Sequence, residues 1–161
     1  MRTFIAFAAT AVTALTLAGV AGAAAPQHFR STEHVTFVDD TCGFPIAADL
    51  VVANDVTEFD DADGSIASLQ LHQAFVGTWT ANGVTLTEND RYTIFVDFSA
   101  GSATEAKHVG LSFRLTAPDG RLFQIAGQQV FAVVGGFDRD LLLAHGIFVD
   151  FDLGAYCAAF A

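Results

Sequence analysis

The chain has 161 residues, 52% hydrophobic and 16% charged, with eighteen Asp+Glu against seven Lys+Arg and a formal net charge of −11. Its mean hydropathy of +0.44 excludes intrinsic disorder, which belongs to chains too poor in apolar side chains to offset the entropy of ordering. The missing basic surface excludes a nucleic-acid binder, and the length suits one domain.

The first segment reads as an export signal. Arg2 is the only charge before Arg30, the run from Thr3 to Val20 is almost wholly apolar or small, and Ala21-Gly22-Ala23 offers a small-x-small cleavage point. A cationic start, an apolar stretch and a small-residue exit make a secretory signal peptide. The expectation is a leader over 1–23 and a single domain over 24–161, secreted and extracellular. An uncleaved membrane anchor is the alternative. No later run reaches the ~20 apolar residues of a membrane-spanning helix.

Beyond the leader the dominant period is two. Between 107 and 117, His108, Gly110, Ser112, Arg114 and Thr116 fall on one face and Val109, Leu111, Phe113 and Leu115 on the other. Such alternation marks half-buried strands. In chain order, strands are predicted over 34–39, 47–58, 66–80, 84–88, 91–99, 107–117, 122–134 and 141–152, with a ninth over 155–160 as an option. Asn82-Gly83 is a strong hairpin signal, because both residues tolerate positive φ. Pro118-Asp119-Gly120, Asp61-Ala62-Asp63-Gly64 and Gly135-Gly136 are further breaks, while Ala126-Gly127-Gln128-Gln129 suggests a bulge or bend. Eight or nine strands joined by short turns imply an all-β fold, an antiparallel meandering β-barrel of about eight strands. A two-sheet β-sandwich is the alternative.

Cys42 and Cys157 are the only cysteines, near opposite ends of the domain. In an oxidising compartment an even count suggests a bridge, here joining the first strands to the last. Two free thiols or a redox pair remain open, although no C-x-x-C is present. Closing a loop of about 100 residues is worth up to ~4.7 kcal/mol in chain-entropy terms.

Cys42-Gly43-Phe44-Pro45 after an alternating strand, Asp119-Gly120 before a late one, and a terminal Cys157-Ala158-Ala159-Phe160 together carry a resemblance. The layout is similar to small secreted proteins of high-GC actinomycete bacteria, most of them hypothetical. The resemblance implies a disulfide-closed barrel, lipocalin-like or allene-oxide-cyclase-like in outline. It brings no catalytic residues.

Chemistry-bearing motifs are scarce. The stretch from Glu58 to Gly64 places Asp61 and Asp63 as in a calcium loop, but Phe59 and Gln70 stand where two ligands belong. A solvated turn is the plainer reading, so no metal is expected. His28, His34, His72, His108 and His145 lack the spacing of zinc ligands. There is no nucleophile elbow, phosphate loop or dinucleotide fingerprint, and no cofactor is implied. Asp150 and Asp152 would share one strand face about 7 Å apart, a common acidic stripe.

Sixteen Phe against two Tyr and one Trp give one functional hint. Phenylalanine has no polar edge and suits dry interiors. The rings either fill the barrel or line a cavity, since eight-stranded barrels sit where both outcomes occur. Strand parity names the candidate wall residues: Leu71, Phe75 and Trp79 on one strand, Leu111, Phe113 and Leu115 on another. Gln70, His72, His108 and Arg114 then face solvent. The expected protein is a monomeric, non-catalytic module that binds a small hydrophobic ligand or serves an envelope structural role. A small cyclase or isomerase acting on an apolar substrate is the alternative.

Overall fold

Among the described residues, seven long strands follow one another in a single antiparallel meander, in the spatial order β1 to β7. They are β1 (Gln27–Asp39), β2 (Ile46–Asp60), β3 (Ile66–Ala81), β4 (Val84–Ser99), β5 (Ser102–Thr116), β6 (Leu122–Val134) and β7 (Phe137–Gly146). One short helix, α1 (Leu153–Ala158), follows. The structure is a computed structural model that describes residues 25–99, 102–134, 137–146 and 151–161. The expected leader over 1–23, the Gly135-Gly136 break and Asp150 lie outside the described residues.

Local chemistry explains the turns. Asn82 (φ 50) and Gly83 (φ 80) make the expected two-residue hairpin between β3 and β4, where two positive φ values match the strand twist. Asp119 accepts from the Arg121 amide at 3.0 Å and so shapes the turn before β6.

The sheet does not close into a barrel. Among the described residues β1 pairs with β2 and β7 with β6, and no pairing joins β1 to β7. An up-and-down barrel closes antiparallel only with an even number of strands, and in a seven-strand meander the first and last run parallel. The segment 155–160, which could have supplied another strand, forms α1 instead. Asp152 caps that helix, accepting from the Ala155 amide at 2.9 Å. The two segments predicted over 84–88 and 91–99 are one strand, β4, with a register shift between Glu88 and Arg91 against β5.

The core sits at one end of the sheet. Ile46, Ala48 and Leu50 of β2, Phe75, Trp79 and Ala81 of β3, Leu86 of β4, Leu115 of β5 and Phe123 of β6 pack there against Tyr156 and Phe160. Alternation within β2 to β5 thus defines an inner face. The helix covers this end with its rings: Tyr156 lies edge-on to Phe160 at 5.5 Å and to Phe123 at 5.9 Å. Cys42 and Cys157 are bonded, with Cα atoms 5.4 Å apart across a separation of 115 residues. The bridge ties the β1–β2 turn to α1 rather than the first strand to the last. It is compatible with an oxidising, extracellular setting.

Candidate functional site

The candidate wall residues separate into two groups. Phe75, Trp79 and Leu115 are buried in the core, and Phe113 packs against it, edge-on to Trp79 at 5.8 Å. Leu71 shares the inner face of β3 with Phe75 and Trp79 but is only half-buried. Leu111 leaves the set. A bulge between Leu111 and Phe113 reverses the parity of β5, so Leu111 pairs with outward Arg91 while His108 pairs with inward Ile94. His108, expected in solvent, stacks on Tyr92 at 5.3 Å and meets Phe131 at 4.9 Å. One extra residue in a strand moves everything beyond it to the other face.

Gln70, His72 and Arg114 do face outward. His72 bonds Thr93 at 2.8 Å, while His28 bonds Thr57 at 3.1 Å. In the 61–64 turn, Asp63 accepts from the Ser65 hydroxyl and amide at 2.7 and 3.0 Å, and those bonds hold its carboxyl below the usual range. That carboxylate shapes a turn.

Sequence reading missed a pair of buried acids. Glu88-Asn89-Asp90 reads as a polar break between two strands, yet Glu88 and Asp90 are only 5% and 3% exposed. The pairing of β3 with β4 runs unbroken through Glu88 and Asp90, so both side chains point inward beside Gly77 and Phe75. The lone tryptophan, Trp79, donates its indole N–H to Glu88 Oε2 at 2.5 Å. The Arg114 amide donates to Asp90 Oδ2 at 3.0 Å. Asp90 Oδ1 is buried with no donor among the described residues, and Glu88 acts on Asp90 through hydrogen bonding and charge. One arrangement satisfies all four groups: Asp90 is protonated on Oδ1 and donates to an ionised Glu88. Burial, followed by the bond and the repulsion from Glu88, pushes Asp90 up to about 8. Burial raises Glu88 as well, opposed by its bonds from Asp90 and Trp79. Desolvation raises the Tyr156 hydroxyl too, reinforced by Asp39 and Glu88.

Above the pair runs a polar row in one cross-strand register: Ser31, Asn54, Gln73, Tyr92, Gly110, Gly127 and Gly146. Gln73 donates to Asn54 at 2.8 Å and Asn54 to Ser31 at 3.2 Å. The three glycines have φ of 126°, 134° and 109°, which L side chains rarely adopt. Beyond this row the inner face mixes apolar side chains with inward Glu58 and His108 and the buried Ala106 and Gln129. Val56, Leu69, Leu71, Ile94, Val96 and Phe131 face inward there by register, yet all are only half-buried. The inner face therefore has a packed end and a half-buried, mostly apolar end, with the polar row between them.

A shallow groove of about 640 Å³ follows the same line, with Arg30, Ala53, His72, Ala74 and Arg91 beside it. These five carry the outward parity of their strands. Neither buried carboxyl lines the groove, and Arg30 is already paired with Asp55 at 2.9 Å. Among the described residues no group of His, Cys, Asp or Glu is arranged to hold a metal, and no helix is long and apolar enough to cross a membrane.

No protein-family model matches the chain, and neither a curated protein nor a solved structure matches it significantly.

Proposed function

We propose that the protein is an exported, non-catalytic module that holds a small apolar molecule against the half-buried apolar end of the inner face, as lipocalin-like proteins do in outline. The supporting observation is the half-buried state of Leu71, Ile94, Val96 and their neighbours. They have the register of core residues, but the helix-covered core lies at the other end of the sheet. A sheet face of this composition lowers its free energy by covering apolar surface, at roughly 25 cal/mol per Å². A mostly apolar lining with a polar row at one side suits a small apolar ligand.

The test is binding of N-phenyl-1-naphthylamine, a neutral apolar fluorophore, to the oxidised protein. Saturable binding is expected, weakened about tenfold by Ile94→Gln or Leu71→Gln, a loss of about 1.4 kcal/mol. Val76→Gln on the outer face should leave it unchanged. Equal binding by all variants, or none by the parent, would remove the proposal.

The rival, a small cyclase or isomerase, draws on Asp90 as a neutral carboxyl inside an apolar fold. Under it, Asp90→Asn abolishes turnover of an apolar substrate while fluorophore binding persists.

A further inference from the structure

We propose that Glu88 and Asp90 form a proton-operated latch on the packed end of the sheet. One proton held between the two carboxyls keeps β4, Trp79 and α1 packed, and its loss in alkaline solution loosens that end.

The geometry makes the case. Two buried carboxyls present four oxygens, and the described residues offer them two donors: the Trp79 indole and the Arg114 amide. No third donor reaches Asp90 Oδ1. A proton is the smallest ligand that completes the set. Among the described residues nothing nearby could replace it, because the other ionisable groups packed around the pair are acids. Asp39 at the end of β1 is buried and already accepts from the Thr41 hydroxyl and amide, at 2.5 and 2.9 Å. Tyr156 on α1 senses the charges of both Asp39 and Glu88. Glu33 of β1 carries a further carboxyl on the inner face, paired with Val52 in the row of Phe75 and Asp90. Arg114 contributes its amide, while its side chain is on the exposed outer face, and His108 lies beyond Tyr92. Neither Glu88 nor Asp90 has an ion-pair partner among the described residues. Deprotonating Asp90 therefore places a second negative charge in the core with no cation to balance it.

The sign follows from linkage. Asp90 holds its proton more tightly folded, at about 8, than unfolded, at about 3.9. Its contribution is complete below about pH 4 and is lost as pH rises through the folded value.

Trp79 is the only tryptophan and touches the pair, so it reports the latch directly. The experiment records tryptophan fluorescence and near-ultraviolet circular dichroism of the oxidised chain between pH 5 and 9.5. A reversible transition with a midpoint near 8 is expected in the parent. Asp90→Asn keeps the shape and a donor for Glu88, so its spectrum should stay in the low-pH form throughout. Glu88→Gln removes the repulsion and should move the midpoint to lower pH. A flat profile in the parent overturns the proposal, as does a transition unchanged in Asp90→Asn. Should Asp90→Asn fail to fold, an unmoved midpoint in Glu88→Gln overturns it equally.

Discussion

At Gly127 a missing side chain decides how close two strands come. A Cβ there would meet the His145 carbonyl oxygen of β7, and the φ of 134° is itself hostile to L residues. Gly127→Ala should cost at least ~2 kcal/mol, combining backbone strain with a clash against backbone that cannot step aside. Urea melts of parent and variant measure it, and a difference under about 0.5 kcal/mol would show that β6 and β7 part freely. Gly110 tells the complementary story. A Cβ there would lie 3.2 Å from the Arg91 carbonyl oxygen and from the Tyr92 Cα of the neighbouring strand. Alternation with period two was readable for Trp79, Phe75 and Leu115. The burial of Glu88 and Asp90 was not, because two acids flanking Asn89 have the composition of a turn. What turns them inward is pairing with β3 in the register that the Asn82-Gly83 turn sets, which carries the strand on through Glu88 and Asp90.

The helix α1 carries its own signal in the sequence. Asp152 precedes Leu153-Gly154-Ala155-Tyr156-Cys157-Ala158, a run without a β-branched residue, and an acidic cap before such a run favours a helix. The terminal alternation of apolar and small residues is equally compatible with a strand, and tertiary packing of Tyr156 and Phe160 decides between them. Asp152→Ala should therefore cost about 1 kcal/mol, the usual worth of an N-cap. A fully unchanged thermal midpoint would mean that ring packing alone holds the helix. The bulge in β5 was the least legible element. No glycine or proline marks Ser112, and the parity reversal that sends Leu111 outward and His108 inward depends on how β5 meets β4 and β6.

Across the whole molecule, the disulfide does what strand pairing does in a barrel. It fixes the turn after β1 to the helix after β7, so the two ends of an open meander are joined covalently while their edges stay apart. Replacing Cys42 and Cys157 together by Ser should cost about 2–5 kcal/mol, as for native bridges in small domains. Equal denaturation midpoints for oxidised parent and double variant would contradict that role. The all-β class, the meander and the bridge were legible because period, turns and cysteine count are local or arithmetic properties. Closure was not, because it turns on whether the last segment adds a strand. The proposed ligand site is the half-buried apolar end of the inner face. A native mass spectrum of the protein purified from the organism that makes it tests that reading most directly. A population heavier than the polypeptide by the mass of a small apolar molecule, lost on organic extraction and absent in Ile94→Gln, is the expected result. The bare polypeptide mass in every preparation, with no uptake of added N-phenyl-1-naphthylamine, would contradict it.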